Sequence, residues 1–321
     1  MAVYTEVTAE EIAELLKRYD IGRPVSMKGI AEGVENTNYL LTTERGDFIL
    51  TLYEKRVACG DLPFFIALLD HLATRDVPCP VPIRDRDDQA LQTLCGRSAA
   101  LFTFLKGISV RRPSVAHCAA VGTALAKLHL AGREFPMRRE NSLSLAGWQR
   151  LREALGPKAD EVWSGLGALL DSELETLSRK WPADLPEGII HADLFPDNVL
   201  VYDGSVSGII DFYFACDDLL AYDVAICLNA WCFENDHSFN ITKARAFLEA
   251  YRSVRPMSAA ETGALPILAR GAALRFLLTR AYDWFNTTPE AYVRPKSPEE
   301  YLRKLRFHQR VGSLSEYGIT S

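Results

Sequence analysis

The 321-residue sequence has little of what marks the more specialised classes of protein. Its seven cysteines stand singly, without a Cys-x-x-Cys pair, so neither a zinc site nor a redox dithiol is indicated. The best apolar run, residues 224–233, is far shorter than the roughly 20 residues that span a bilayer. Lys and Arg number 36 against 42 Asp and Glu, and the resulting formal charge of −6 opposes binding to nucleic acid or anionic lipid. We therefore expect no membrane helix and neither a nucleic-acid nor a membrane partner.

The amino terminus lacks the basic start and apolar run of a secretory signal. Acidic residues occupy positions 6, 10, 11 and 14, and Thr8 with Glu11 fits the capping box that begins a helix. Ile12, Leu15 and Leu16 recur on one face of that helix. The pattern predicts a mature amphipathic helix and a protein that stays in the cytoplasm.

The first third of the chain combines strand and helix signals. Residues 38–43 and 48–53 are β-prone and flank a turn that contains Gly46. Residues 62–74 have helical periodicity, and two further strands are predicted at 89–93 and 98–104. Residues 1–103 are therefore expected to form a small lobe built on an antiparallel sheet with one helix.

Residues 104–321 are expected to form a larger, mostly helical lobe. The segments with helical periodicity are 114–130, 166–179, 221–233, 243–252, 261–285 and 298–312. Residues 188–212 interrupt them with a loop, a strand, a turn and a second strand, and Asp203-Gly204 fits a type I′ turn there. The sequence thus predicts an α+β, bilobal protein.

The interruption carries the residues that are most informative about chemistry. His191, Asp193 and Asn198 have the spacing of the kinase catalytic loop, in which the Asp accepts the proton of the attacking hydroxyl and the Asn holds magnesium. The predicted hairpin returns the chain to Asp211, and magnesium, which prefers oxygen ligands, needs few carboxylates. Asp193 is therefore the candidate base, and Asn198 and Asp211 are the candidate metal ligands. A purely structural role, as ordinary loop and capping residues, is disfavoured because the motif coincides with a hairpin and apolar flanks.

The sequence of this segment resembles the aminoglycoside-phosphotransferase-like family of the protein-kinase fold, and the resemblance covers nearly the whole chain. Residues 29–39 look like the family's nucleotide loop, 101–105 like its hinge, and 125–129 like its helix ending in Leu-His. Within the family, residues 191–198, 209–233 and 277–284 are similar to homoserine kinases. The resemblance implies a protein-kinase-like fold that uses ATP and Mg²⁺ and transfers the γ-phosphate to the side-chain hydroxyl of L-homoserine.

The resemblance also implies roles for individual residues. Gly33 and Asn36 are expected to contact the nucleotide, and the backbone near Thr103 and Leu105 is expected to bind the adenine. His191 is expected to support the catalytic loop. Asp223, inside the apolar segment 221–233, matches the family Asp that ties this loop to the helical lobe.

An amino-acid substrate needs a guanidinium for its carboxylate and a carboxylate for its ammonium group. We select Asp218, Arg280 and Asp283 as candidate substrate contacts. Asp217 and Asp218 have a second interpretation as helix N-caps. Arg275 and Arg280 are five residues apart, so at most one is expected to face the substrate, and a salt bridge elsewhere is the more common fate of such an arginine.

One position departs from the family pattern. Thr51 stands where the third strand would carry a Lys or Arg for the nucleotide phosphates, and Lys28, Lys55 and Arg56 are the nearby cations. This departure keeps a nucleotide-binding pseudokinase open as a second hypothesis. A kinase that acts on choline, ethanolamine, methylthioribose or an aminoglycoside also stays open, whereas a metal-dependent phosphohydrolase would need more ligands than this stretch offers. The oligomeric state does not follow from the sequence.

Overall fold

The structure is a computed structural model that describes residues 4–30, 36–54, 58–287 and 295–319. These residues form two compact units. The first takes in Met1–Gly107 and Ser207–Tyr213, and the second takes in Ile108–Val206 and Phe214–Ser321. That the nucleotide-binding lobe ends at residue 103 and the helical lobe begins at residue 104 stays a prediction.

The first unit is built on an antiparallel sheet. Its elements are α1 (Ala9–Leu16), β1 (Pro24–Gly29), β2 (Thr37–Thr43), β3 (Gly46–Leu52), α2 (Leu62–Ala73), β4 (Pro82–Ile83), β5 (Leu91–Leu94) and β6 (Arg97–Thr103). The sheet order is β1-β2-β3-β6-β4, and β5 pairs with β6. The predicted β2–β3 hairpin is confirmed, with Thr43 paired to Gly46 and Asn38 to Thr51.

The amphipathic helix α1 supports one face of this sheet. Thr8 and Glu11 form the predicted capping box, since each side chain bonds to the backbone N–H of the other residue. Ile12 and Leu15 pack with Leu41, Leu50 and other strand residues in one apolar cluster. The side chains of β2 alternate between buried and half-buried positions, as expected for a strand with one face on a core.

The second unit is dominated by helices. They are α3 (Val115–Ala131), α4 (Leu145–Leu155), α5 (Ala159–Val162), α6 (Leu166–Lys180), α7 (Leu220–Trp231), α8 (Ile241–Val254), α9 (Ala259–Asn286) and α10 (Glu299–Arg310). The six predicted helical segments are all present, whereas α4 and α5 were not expected from periodicity. No helix in the described ranges has the length and apolarity that crossing a membrane requires.

Short strands accompany these helices, namely β7 (Ile108–Ser109), β8 (Glu187–Ile190), β9 (Val199–Tyr202), β10 (Ser205–Ile209) and β11 (Cys216–Leu219). β7 pairs with β9, and β11 pairs with β8. Between β9 and β10, Asp203 and Gly204 both have positive φ, 49° and 73°, as the predicted type I′ turn requires.

Helix α7 is the centre of the second unit. It is apolar on nearly every side and packs on α9, which in turn packs on α10. A helix buried all round places even its polar side chains inside the protein. Asp223 in the first turn of α7 is therefore a buried carboxylate, and it lies beside the chain that leaves β8.

Candidate active site

The catalytic-loop motif forms a tight loop between β8 and β9. His191 is fully buried, and its Nδ1 accepts the backbone N–H of Asp193 at 3.2 Å. Asn198 ends a short 3-10 turn and donates from Nδ2 to the carbonyl of Asp193 at 2.8 Å and to its Oδ2 at 3.2 Å. The structure thus brings the three motif residues together, with the amide of Asn198 oriented by the Asp193 carboxylate.

The surroundings of Asp193 raise its proton affinity. Its side chain is partly buried, and burial raises the pKa of the carboxyl above its ordinary value. The charges of Arg275, His191 and Lys296 and the bond from Asn198 oppose this rise without cancelling it. Asp193 therefore holds a proton more readily than an exposed Asp does.

Ala192, between these two motif residues, has an unusual backbone conformation. Its φ of 62° is strained for a residue with a Cβ. Both of its backbone polar groups are fixed: the N–H donates to Asp223 Oδ1 at 3.0 Å, and the carbonyl accepts from Arg275 Nη1. The surrounding side chains therefore hold the turn that presents Asp193.

Asp223 is the main support of this loop. In addition to Ala192, it accepts the backbone N–H of His191 at 2.8 Å and bonds to His129 Nε2 at 3.1 Å. Burial alone would raise the pKa of Asp223, but the bond from His129, the nearby charges and the His191 amide lower it below its usual value. Asp223 is consequently ionised, and its negative charge strengthens all three bonds.

His129 connects this carboxylate to a second buried pair. Its Nδ1 bonds to the hydroxyl of Tyr251 at 2.7 Å, and Arg255 donates to the same hydroxyl at 3.2 Å. Arg255 in turn pairs with Glu261 at 2.8 Å, and both are almost completely buried. Sequence reasoning did not assign these partners; the Leu-His ending of residues 125–129 was the one signal for them.

The predicted substrate residues have these surroundings. Arg280 is bonded to Glu300 at 2.6 Å and to the carbonyl of Ser297 at 3.2 Å. Asp218 accepts Asn141 Nδ2 at 2.6 Å, and burial raises the pKa of its carboxyl. Asp283 lies in the last turn of α9, where its carbonyl accepts the N–H of Thr287 at 2.9 Å. Their substrate roles stay predictions.

The interpretation of Asp217 and Asp218 as helix N-caps is wrong. Both lie in β11, where Asp218 pairs with Gly188 of β8, and the N-cap position of α7 is Leu219. Asp217 instead accepts the backbone N–H of Arg139 at 2.9 Å and the guanidinium of Arg138. The local sequence favoured a helix start, but pairing with a distant strand decided the conformation.

The candidate nucleotide residues of the first unit show varied surroundings. Asn36 is buried and its Oδ1 accepts the N–H of Glu54 at 3.3 Å. The backbone N–H of Thr103 donates to the carbonyl of Val81 at 3.0 Å, whereas Leu105 makes no hydrogen bond within the described chain. Gly33, Lys55 and Arg56 lie outside the described residues.

Thr51 and Asp211 also belong to the first unit. Thr51 is 3% exposed and donates to Asn38 Oδ1 at 2.7 Å, so a short polar side chain occupies the position of the family's cation. Asp211 follows β10 with a positive φ of 66°. The ring of Tyr213, two residues later, packs edge-on against Tyr53 and Phe65.

A kinase-type catalytic loop, held by a buried Asp in a helical unit and joined to a sheet-based unit, defines a phosphotransferase of the protein-kinase-like fold. The pattern of the phosphotransferase enzyme family matches residues 26–257. The homoserine kinase of Bradyrhizobium sp. strain BTAi1 is 62% identical over 319 residues, which cover 99% of this chain and 98% of that protein. That of Rhodopseudomonas palustris strain TIE-1 is 63% identical over 320 residues, with coverage of 99% and 98%.

Solved structures support the same fold. An amicoumacin kinase in complex with AMP-PNP and Ca²⁺ has a TM-score of 0.67 at 16% identity, over 92% of this chain and 94% of that chain. The chain belongs to the phosphotransferase enzyme family and, within it, to the homoserine kinases.

Proposed function

We propose that the chain transfers the γ-phosphate of ATP to the side-chain hydroxyl of L-homoserine, giving O-phospho-L-homoserine and ADP. The observation that carries this proposal is the fixed loop around Asp193, in a chain that is 62% identical to a homoserine kinase over nearly its whole length. Phosphoryl transfer needs little covalent chemistry from the protein, so positioning and charge are its main tasks.

Asp193 is proposed to orient and deprotonate the hydroxyl of the acceptor. The hydroxyl oxygen forms a bond to the γ-phosphorus, the bond from that phosphorus to the ADP oxygen breaks, and the proton passes to the Asp193 carboxylate. The raised pKa of Asp193 supports this role, because a base whose pKa is closer to neutrality accepts a proton more readily. Asp223 and His191 are proposed to hold the loop through the bonds described above.

Asn198 and Asp211 are proposed as the protein ligands of Mg²⁺. The side-chain nitrogen of Asn198 is used by Asp193, which leaves the amide oxygen as a donor, and Asp211 supplies carboxylate oxygens. Hard oxygen donors of this kind fit magnesium. When bound, the ion would neutralise charge on the phosphates. Asn198→Asp and Asp211→Asn should therefore change the Mg²⁺ concentration that gives half-maximal activity.

For the nucleotide, the backbone of Leu105 is the proposed adenine contact, because its polar groups are not used within the described chain. Thr103 contributes through its backbone carbonyl, because its N–H donates to the Val81 carbonyl and its hydroxyl accepts the Val81 N–H at 2.9 Å. Asn36 and Gly33 are proposed to contact the remainder of the nucleotide. Exchange of ATP for GTP in the assay below tests whether this backbone contact selects adenine.

The test is ADP release that depends on Mg²⁺ and ATP, measured with L-homoserine, choline, ethanolamine, methylthioribose and kanamycin. The proposal predicts turnover with L-homoserine and formation of a phosphomonoester detected by ³¹P NMR. Turnover with a different acceptor alone would overturn the homoserine assignment and keep the kinase chemistry. Binding of ATP without release of ADP to any acceptor would favour the pseudokinase that the Thr51 substitution suggests.

A further inference from the structure

We infer that Arg275 binds the carboxylate of the amino-acid acceptor and so determines which alcohol the enzyme selects. This inference rests on the proposed function and adds a residue to its substrate site. The sequence selected Arg280 of α9 rather than Arg275 as the candidate contact. The surroundings of Arg275 in the second unit favour Arg275 instead.

Arg275 differs from the remaining buried charged residues of the described ranges in its lack of a counter-ion. The other charged side chains that are buried in the described ranges each have an oppositely charged or ionisable partner, namely Asp85 with Arg18, Glu173 with Arg270, Asp223 with His129, Lys243 with Glu234, Arg255 with Glu261 and Lys304 with Glu300. Arg275 is 2% exposed and has no carboxylate within salt-bridge distance in the described part of the chain. Burying an unpaired guanidinium is unfavourable unless an anion arrives to pair with it.

The guanidinium of Arg275 also has hydrogen-bond donors that no described residue uses. A guanidinium carries five N–H groups. Within the described chain, Arg275 uses Nη1 on the carbonyl of Ala192, while its buried Nε has no partner. The rest of its environment is aromatic: the guanidinium carbon lies 4.3 Å from the ring centre of Phe276 and 5.5 Å from that of Phe214. Such a planar fork with free N–H groups is suited to bidentate binding of a carboxylate.

The length of homoserine allows it to contact Asp193 and Arg275 at the same time. Arg275 bonds to the carbonyl of Ala192, the residue directly before Asp193. In homoserine the carboxyl carbon is four bonds of about 1.5 Å from the hydroxyl oxygen, so the two lie at most about 6 Å apart. A hydroxyl held by Asp193 therefore places the carboxylate in the neighbourhood of Arg275.

Arg280, on the same helix, lacks these properties. Its guanidinium is already paired with Glu300 at 2.6 Å and lies 4.5 Å from the ring centre of Tyr301. An acceptor carboxylate would have to compete with Glu300 for it. Arg280→Gln is therefore the comparison variant, and Arg303→Gln, which removes an exposed i,i+4 pair with Glu299 on α10, is the matched control.

The experiment compares L-homoserine with 3-aminopropanol, which has the same hydroxyl and amine but no carboxylate. In Arg275→Gln, kcat/KM for L-homoserine should fall about 10- to 100-fold, as expected for loss of a charged hydrogen-bond pair, mainly through KM. Loss of the bond to the Ala192 carbonyl affects both acceptors alike, so kcat/KM for 3-aminopropanol should fall at least about tenfold less than kcat/KM for L-homoserine. If 3-aminopropanol turns over too slowly, its inhibition constant against L-homoserine replaces kcat/KM and should not change. Arg280→Gln and Arg303→Gln should leave the ratio between the two acceptors as in the wild type.

Equal losses with both acceptors in Arg275→Gln would overturn the inference, because Arg275 would then act on the loop or on the transferred phosphoryl group. Loss of the acceptor ratio in Arg280→Gln would overturn it in favour of that residue. Arg275→Lys covers the case in which the Gln variant does not fold: it keeps the charge, loses the fork, and should raise KM for L-homoserine alone. Absence of any turnover of L-homoserine by the wild type would refute the proposed function instead.

Discussion

Asp223→Asn keeps a side chain of nearly the same size and is expected to loosen the catalytic loop. The carboxylate of Asp223 accepts three hydrogen bonds, at 2.8, 3.0 and 3.1 Å, from the His191 and Ala192 amides and from His129. An Asn side chain has one acceptor oxygen, so its NH₂ group must face at least one of these donors. That donor is left buried without a partner, and the remaining bonds lose their charge assistance.

The magnitude follows from these contacts. An unsatisfied buried donor costs about 1–3 kcal/mol, and each of the two remaining bonds weakens by about 1 kcal/mol when its acceptor loses the negative charge. We therefore expect the free energy of unfolding to fall by about 3–5 kcal/mol. A displacement of about 1 Å in the loop is enough to lower kcat about 100-fold, and the strained backbone of Ala192 makes such a displacement easy once its N–H is released.

Urea unfolding and steady-state kinetics at 25 °C measure the two effects on the same protein. Asp171→Asn is the control, because Asp171 is a largely exposed Asp that pairs with Arg152 at 2.8 Å, and a surface pair contributes at most about 1 kcal/mol. If Asp223→Asn loses less than about 1 kcal/mol and keeps its kcat, the loop does not depend on Asp223 and the reasoning is refuted.

Three further changes test packing and hydrogen bonding elsewhere in the two units. Burial lowers the pKa of His308 to about 3. The neutral His308 therefore contributes its full stability above the ordinary pKa of 6.5, and this contribution is lost as the pH falls towards 3. In His308→Gln the unfolding free energy should depend less on pH between about 6 and 4, by about 1.4 kcal/mol per pH unit. Thr51→Val removes the bond to Asn38 at 2.7 Å and should lower the urea-unfolding free energy by about 1 kcal/mol. Gly122→Ala places a Cβ 2.3 Å from the carbonyl oxygen of Phe247, so α3 and α8 must move apart and thermal unfolding should show a loss of more than about 2 kcal/mol.

Local sequence signals predicted the parts of the fold that local interactions determine. The capping box at Thr8, the β2–β3 hairpin and the turn at Asp203-Gly204 each depend on residues a few positions apart. Strand β1 was not predicted, because its residues are nearly all exposed and show no apolar alternation. Helix α4 was not predicted either, although its residues Gly147 and Trp148 are buried.

The candidate site divides in the same way. The spacing of the loop motif predicted which side chains contact one another, since His191, Asp193 and Asn198 lie in one short loop. For α9 the sequence selected Arg280, whereas Arg275 is the arginine that bonds to the loop, at the carbonyl of Ala192. Residues five apart are separated by about 140° around a helix, and the rotation of α9 against its neighbours decides which one points inward. That rotation depends on packing between distant elements.

Single-turnover formation of O-phospho-L-homoserine in wild type, Asp193→Asn and Asp197→Asn shows whether Asp193 is the catalytic base. Asp197 is its neighbour in the loop, an exposed residue whose pairing with Lys296 at 3.5 Å is weak. We expect the rate to fall about 10²–10⁴-fold in Asp193→Asn and to stay within about twofold of wild type in Asp197→Asn. Equal rates in wild type and a folded Asp193→Asn would contradict this role of Asp193.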